Sequence, residues 1–494
     1  MIDGDNSILP IITFDAKTDW LALHRIAQPH LERAGLERLI AALSSSARCI
    51  AIEREYIDKD YRDTFSNFHS KRFSTPSSRC LRLHFFNRKV TKAGLREACL
   101  DTNKLKDLND YYLGYSVIRP TKPNCIGRTL LAPSSRGPVS AFASLCFERV
   151  SILGTELEIS GFPFISQDSD VTVCAESALW MILRYFSNRY RLYPETYPFQ
   201  VVNLTKDYSL GRIIPSSGLY IWQMAEALRR IGRPPLIYSR KNFRDFDHLL
   251  YTYIESGIPV LAGLKEHVVV AFGHRSNFGA KPSGVGTILT SAYNEALVVN
   301  DDNHVPYQLL HKTGAVSGPG AQSSKYRFSD ILDFVAPLPE RVFLPAESFQ
   351  TVVTSILKKN SPFGFKALSP SLHKGRSVLR LFLTTGKSFK KHLGSRTMGN
   401  SLVEEAYRNL PLPHFLWVCE ISKTDAYSHH EVYGEILWDA TRNAHEPNGW
   451  IALHYPEVLV VDMGSALNSE QNLFKIKLQK SRPYPLYKHN LQPI

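Results

Sequence analysis

The chain has 494 residues. This is more than one hydrophobic core ordinarily holds, and a typical domain of about 150 residues predicts three domains. Its composition, 44% apolar and 21% charged, excludes general disorder and a fibrous protein, and its net charge of +13 is unevenly placed.

The chain carries no stretch that approaches the roughly 20 apolar residues of a membrane helix. Its first residues are acidic where a secretory leader would be basic and then apolar, so we expect a cytoplasmic protein without a membrane span. The seven cysteines include no C-x-x-C pair, which argues against a disulfide framework and against a zinc knuckle. We therefore expect free thiols, no cofactor and no metal.

Breaker-rich stretches at 131–138, 313–320 and 336–340 predict domains at 1–150, 151–335 and 336–494. In the first domain, helical periodicity over Trp20–Leu43 precedes predicted strands at Cys49–Ile52, Leu81–Phe86 and Gly114–Arg119, which indicates an α+β domain of unknown role. The charged stretch Glu53–Asp63 is expected to form an exposed face of mixed sign.

In the middle third, polar residues give way at Cys174 to an amphipathic helix that runs to at least Phe186. Cys174 thus lies in the first turn, where the helix dipole and free backbone N–H groups favour a thiolate. A small apolar residue packing the helix start is the alternative interpretation of this cysteine.

The elements after Cys174 alternate between helix and strand. Helices are predicted at 217–231 and 243–255, and strands at 236–238, 258–264, 268–273 and 296–299. His267 leads the strand 268–273, and Asp301 follows the strand 296–299. A base at the head of one strand and a carboxylate at the end of the next can meet, as a Cys-His-Asp arrangement requires.

These residues resemble the papain-like cysteine peptidases, most closely the bacteriocin-processing C39 type. The resemblance covers about residues 155–335. It implies a papain-like (C39-like) fold in which Cys174 is the nucleophile, His267 the general base and acid, and Asp301 the orienting carboxylate. It also implies that Gln167 donates to an oxyanion hole completed by the Cys174 backbone N–H.

Several positions leave alternatives open. Gln167 lies seven residues before Cys174, one more than is usual in the family. Asn300 and Asp302 stand behind Asp301 as orienting groups. The alternatives to His267 are His274, His304 and His311, which we expect to be exposed loop histidines because they lead no apolar strand.

The last domain, 336–494, is predicted to be β-rich or α+β, with strands at 377–383, 415–420, 433–437 and 458–462. Its segment 356–396 carries ten Lys and Arg residues and no Asp or Glu. Such a segment can contact a polyanion, but a solvated basic face is the simpler interpretation because no aromatic-interleaved motif accompanies it.

The sequence therefore predicts a three-domain α+β hydrolase that cleaves a peptide or isopeptide bond in a protein or peptide substrate. Acyl transfer to an amine, as in transglutaminase-like enzymes, uses the same three roles and is one alternative. An inactive papain-like scaffold that binds a protein or nucleic acid through the basic segment is another. A metal hydrolase is not favoured, because the chain has no H-E-x-x-H motif. The oligomeric state is left open.

Overall fold

The structure is a computed structural model of the whole chain. It describes residues 11–13, 33–121, 125–136, 140–168, 170–208, 214, 218–282, 286–313, 323–358, 361, 363–373, 376–395, 401–443, 449–462, 473–478 and 483–494. The architecture is mixed α+β, with several sheets and helices packed between and around them.

The first part of the chain builds a five-stranded antiparallel sheet whose strands lie in chain order. Its strands are β1 (Ile11–Thr13), β2 (Cys49–Tyr56), β3 (Cys80–Phe86), β4 (Tyr112–Ile118) and β5 (Ile126–Leu131). The helices are α1 (Arg33–Leu43), α2 (Lys59–Asn67), α3 (Lys92–Leu100) and α4 (Thr102–Tyr111). A short strand, β6 (Phe142–Ala143), and the hairpin β7 (Cys146–Ile152) and β8 (Thr155–Gly161) follow.

The middle part supplies the Cys174 helix and most of the central sheet. Its helices are α5 (Cys174–Arg189), α6 (Pro198–Thr205), α7 (Ile221–Arg230) and α8 (Phe246–Glu255). Its strands are β9 (Pro235–Ser239), β10 (Val260–Leu264), β11 (His267–Ser276), β12 (Ile288–Leu289), β13 (Asn294–Asn300), β14 (Gln308–His311) and β15 (Asp333–Pro337). The central sheet has the strand order β14-β13-β11-β10-β15-β9, with antiparallel neighbours throughout.

The last part is built on a second large sheet, of seven strands in the order β12-β16-β17-β19-β20-β21-β22. The helices are α9 (Ala346–Ile356), α10 (Phe365–Leu368), α11 (Pro370–His373), α12 (Gly386–Ser395), α13 (Ser401–Asn409) and α14 (Thr424–Ser428). The strands are β16 (Ser377–Thr385), β17 (Phe415–Lys423), β18 (Glu431–Val432), β19 (Gly434–Asp439), β20 (Trp450–Tyr455), β21 (Val458–Asp462), β22 (Leu473–Lys477), β23 (Tyr484–Pro485) and β24 (Gln492–Pro493).

Side-chain alternation in β11 explains how the central sheet is covered on both faces. Val268, Val270 and Phe272 belong to the same apolar cluster as the inner face of α5. Val269 and Ala271, which point the opposite way, belong to a second cluster with α8 and the C-terminal sheet. Because both faces of β11 are buried, its sequence is a continuous apolar run that begins directly after His267.

The predicted elements agree with the observed ones where the chain is described. A helix begins at Cys174, strands follow at 235–239, 260–264, 267–276 and 294–300, and the last part is α+β. Residues 20–32 of the first predicted helix, residue 217 and most of the breaker stretch 313–320 lie outside the described residues. The boundaries at 150 and 335 stay predictions, and we note that each large apolar cluster contains residues from both sides of one of them.

The charged stretch Glu53–Asp63 forms the predicted exposed face only in part, since Glu55, Lys59 and Arg62 are exposed but two of its carboxylates are buried. Asp58 and Asp60 are each 1% exposed, because both carboxylates meet buried basic groups. Asp60 accepts hydrogen bonds from Arg184 at 2.6 Å and from the Trp180 indole at 2.9 Å. The expectation was in part wrong because a run of mixed charges can also be paired by partners that are distant in sequence, here on helix α5.

No helix within the described ranges is long and apolar enough to cross a membrane.

Candidate functional site

Cys174 is the first residue of α5 and is half-buried. The residue before it, Val173, has an extended backbone and provides no side-chain cap to the helix. The backbone N–H groups of the first turn therefore remain without a side-chain acceptor at the cap position, next to the thiol. The helix start thus offers positive potential and hydrogen-bond donors to any negative charge that develops at Cys174.

His267 is placed by a tight hairpin. Leu264 of β10 pairs with His267 of β11, so the turn consists of Lys265 and Glu266 alone. Glu266, the second turn residue, has a φ of 60°, in the left-handed region, and this lets the chain reverse direction within two residues. His267 is thereby held at the first position of a buried strand, with its side chain 8% exposed.

Asp301 follows β13, the neighbour of β11 in the sheet. The Nε2 of His267 donates to the Oδ1 of Asp301 at 2.9 Å. The His267 side chain also interacts with the Cys174 thiol. Because Asp301 occupies Nε2, the nitrogen that remains for the thiol is Nδ1. Three residues from a helix start, a strand start and a strand end are brought together.

The charges of this cluster stabilise one another. Burial by itself lowers the pKa of His267, but the hydrogen bonds to Asp301 and Cys174 outweigh it and raise that pKa to about 10. Burial acts to raise the pKa of Asp301, and the hydrogen bond and charge of His267 lower it overall. The arrangement therefore favours an imidazolium between a carboxylate and the sulfur, which is a pre-formed acid for a leaving group.

Asp302 is a second buried carboxyl at the cluster, 3.7 Å from His267 Nε2. Burial raises the pKa of Asp302 to about 7, against the opposing charge of His267. Neither carboxylate oxygen has a hydrogen-bond partner of standard geometry among the described residues. The ligand atoms of His267, Asp301 and Asp302 lie within 4.8 Å of one another, a spacing at which they could hold a divalent cation.

Gln167 also lies at this cluster, where it contacts the residues that follow Asp301. Its Nε2 donates to the Oδ1 of Asn303 at 2.5 Å, and its backbone N–H interacts with the Asp302 carboxylate. Gln167 thus contacts the turn that carries Asp301. An amide nitrogen has a second hydrogen, which this contact leaves available for an oxyanion.

The loop between Gln167 and Cys174 is built around one carboxylate. Asp168 is 1% exposed, and its Oδ1 accepts the backbone N–H groups of Asp170, Val171 and Thr172 at 2.8–3.1 Å. The Oδ2 of Asp168 lies 3.7 Å from Arg119, which also donates to the Ser166 carbonyl at 2.9 Å. These contacts accommodate the seven-residue spacing and connect the site to the N-terminal part of the chain.

The alternative residues fall into two groups. Asn300 points away from the cluster, since it donates to the Pro163 carbonyl and accepts from the Tyr307 N–H. His304 stays near, with its Nε2 3.8 Å from the Oδ2 of Asp301. His274 and His311 lie on strands, not in loops, and pair with Glu255 at 2.6 Å and Ser323 at 3.2 Å.

Our expectation for His274 was wrong. The polar residues Arg275 and Ser276 that follow it suggested a loop, but β11 continues through His274 to Ser276.

Tyr326 was not predicted as part of the site. Its ring stacks on His267 with centroids 5.7 Å apart, and it covers the imidazole. No sequence pattern predicts this contact, because Tyr326 lies in an irregular segment that is distant from His267 in sequence. Asp168 and Arg119 were missed as supports of the loop, although a buried Asp in a polar turn is a known way to bind successive N–H groups.

Comparison of the chain with protein-family models, with curated proteins and with solved structures gives no match. The resemblance to papain-like peptidases thus stays a prediction from the residues.

Proposed function

We propose that the chain is a thiol-dependent hydrolase with a papain-like central domain, and that it cleaves peptide or isopeptide bonds through Cys174, His267 and Asp301. The observation that carries this proposal is the chain of contacts from Cys174 to His267 and from His267 to Asp301 at 2.9 Å. Each member has the residue type and the partner that its role needs.

The reaction would begin with transfer of the Cys174 thiol proton to His267 and attack of the sulfur on the acyl carbon. His267 would then give its proton to the leaving amine, and Asp301 would hold the ring in the required orientation throughout. The negative oxygen of the intermediate would meet the Cys174 backbone N–H and the second Gln167 amide hydrogen. Water attacking the acyl-enzyme would release the acid product, whereas an amine in its place would give acyl transfer.

The first test is thiol reactivity. At limiting iodoacetamide and near-neutral pH, half-buried Cys174 should alkylate faster than Cys99, which is an exposed cysteine, because His267 and the N–H groups of the helix start can activate its sulfur. Mass spectrometry of the labelled peptides measures the two rates. Slower alkylation of Cys174 than of Cys99 would refute the assignment of the nucleophile.

The second test is activity. A cysteine-directed acyl probe should label the wild type and the Cys99→Ala control equally and should not label Cys174→Ala. A fluorogenic peptide library, run with and without a fluorescent amine, separates hydrolysis from acyl transfer. A chelator should leave the activity unchanged. Activity that is lost with the chelator and restored by a divalent cation would instead favour metal chemistry at His267, Asp301 and Asp302.

A further inference from the structure

A cavity of 520 Å³ lies between the last turn of α5 and the junction of β16 with α12. Its volume is within the range of small-molecule sites. The α5 residues that line the cavity, Tyr185 to Arg189, come 11 to 15 residues after Cys174, so the cavity is about 17–22 Å from Cys174 along the helix axis and is separate from the proposed catalytic site.

The cavity is lined by positive charge without negative charge. Four permanent cations, Arg189, Arg191, Arg233 and Lys387, line it together with the imidazoles of His414 and His489. The lining includes no Asp or Glu. None of the four cations pairs with a carboxylate in the described part of the chain. Such a concentration of unpaired charge favours an anionic ligand.

Arg233 is the buried member of this set, at 4% exposure. Its guanidinium lies over the rings of Phe186, Tyr193 and Tyr190, at 3.9, 4.3 and 5.2 Å from their centroids. Its Nε has no hydrogen-bond partner among the described residues. A buried cation that is held by aromatic faces and lacks a carboxylate is an unusual arrangement for a purely structural residue, because burying a charge is costly unless it is paired.

The ten-residue helix α12 begins at the same cavity, with Lys387 and Ser388 of its first turn among the lining residues. This first turn contains no acidic side chain. The positive end of the helix dipole therefore adds to the four cations. Two of its N–H groups are already bonded, that of Gly386 to the His414 carbonyl and that of Ser388 to the Thr385 hydroxyl, each at 3.1 Å, and these bonds fix the turn.

The cavity also has aromatic and apolar lining. Tyr190 is 40% exposed and Leu192 is 83% exposed, and both line the cavity together with Phe415. Tyr190 lies beside Arg233, and Phe415 pairs with Thr385 at the start of α12, so the rings lie next to the cations. An exposed ring can stack on a planar ligand, and Arg can stack as well as pair. Rings beside cations match a ligand that combines a polyanionic group with an aromatic body.

We propose that this cavity binds a nucleoside polyphosphate, with the phosphates held by its cations and the start of α12, and the base stacked on an exposed ring of the lining. The proposal is independent of the proposed hydrolase activity. It also gives Lys387, a member of the basic segment 356–396, a specific role in phosphate binding, whereas the sequence suggested only a general positive charge.

Isothermal titration of the full-length protein with ATP, inorganic triphosphate and adenosine tests the proposal. ATP should bind saturably and more tightly than either of the other two. Lys387→Glu and Arg191→Glu should each weaken ATP binding by about tenfold or more, because each replaces an attraction by a repulsion. Both positions are exposed, so both variants should fold.

Lys366→Glu is the matched control, since Lys366 is an exposed lysine of the same basic segment that does not line the cavity. It should change ATP affinity by less than about twofold, as expected for a distant screened charge. Absence of saturable ATP binding at millimolar concentration, or an equal loss in Lys366→Glu and Lys387→Glu, would overturn the proposal. Adenosine or triphosphate binding as tightly as ATP would overturn the two-part ligand.

Discussion

His267 is the residue at which the site is most easily tested, because it contacts both other members of the proposed triad. We expect His267→Ala to abolish hydrolysis and the enhanced alkylation of Cys174 together. Asp301→Asn should leave a folded protein with a rate lowered by a factor on the order of 10²–10⁴, since the ring loses its anionic partner. Single-turnover rates and circular dichroism of both variants measure activity and folding.

His304 provides the control for this prediction, because it lies 3.8 Å from Asp301 without lying between Asp301 and Cys174 in the hydrogen-bonded chain. His304→Ala should keep most of the activity. Full activity in His267→Ala with loss in His304→Ala would transfer the role of base to His304 and contradict the proposed triad.

Asp302 carries a pH dependence of stability. Its pKa is raised by burial from 3.8 to about 7, so its neutral form is favoured in the folded protein. The resulting stabilisation is complete below about pH 4 and is lost as the pH rises through 7. Because Asn does not ionise, Asp302→Asn should not lose this stabilisation as the pH rises. We expect the variant to gain stability relative to wild type between pH 4 and pH 8.

The size of that gain is on the order of a few kcal/mol, since one pKa unit corresponds to about 1.4 kcal/mol. Chemical denaturation of both proteins at the two pH values measures it, with the exposed Asp110→Asn as control. An Asp302→Asn effect that is the same at pH 4 and pH 8 would show that the carboxyl does not titrate in this range.

At the scale of elements, the loop 166–172 connects the N-terminal sheet to the start of α5. Asp168→Ala would leave three N–H groups, two of them buried, without their acceptor, which should cost about 1–3 kcal/mol of stability. It should also slow the hydrolysis and the alkylation of Cys174, because Gln167 and Cys174 flank this loop. Denaturation midpoints and alkylation rates check the two effects separately.

Asp170→Ala is the matched control, two residues away in the same loop. Its carboxylate pairs with Arg72 at 2.7 Å, but both side chains are substantially exposed, at 31% and 47%. An exposed pair contributes roughly 0–1 kcal/mol, so this variant should have nearly wild-type stability and reactivity. Equal effects of the two substitutions would contradict the supporting role of Asp168.

At the scale of the whole molecule, Arg380 connects the C-terminal sheet to helix α8. It pairs with Glu255 and with Glu420, the latter at 2.7 Å, and is 11% exposed. Arg380 was expected to belong to a solvated basic face, and this was wrong for this member of the segment. Lys358, Lys366, Lys387, Lys390 and Lys391 are exposed, whereas Lys359, Lys374 and Arg396 lie outside the described residues. A polyanion contact at 356–396 stays a prediction.

Arg380→Ala should lower the free energy of unfolding by about 3–5 kcal/mol, because it removes the Arg partner of two buried carboxylates and leaves Glu255 with His274 alone. Arg376→Ala is the control. Arg376 is exposed and donates to the Pro282 carbonyl at 3.0 Å, so its removal should change stability by less than about 1 kcal/mol. Urea denaturation of both variants measures the difference, and a similar small loss in both would refute the proposed importance of the buried pair.

The local features of this protein could be predicted from its sequence. Apolar periodicity located the helix that begins at Cys174 and the strands that begin at His267 and end before Asp301. These are local properties, because a helix face and a buried strand are defined by residues a few positions apart. For the same reason, the sequence could name Cys174, His267 and Asp301 together but could not show that they meet.

Which distant residues pair could be seen only in the tertiary structure. Asp60 with Arg184, Arg380 with Glu255, and Tyr326 over His267 are separated by dozens to more than a hundred positions, and no local pattern records them. The charge runs at 53–63 and 356–396 resembled solvated faces because a sequence shows a charge without showing its partner. Whether such a charge is exposed or paired depends on what the fold places beside it, since burial is tolerated when an opposite charge is present.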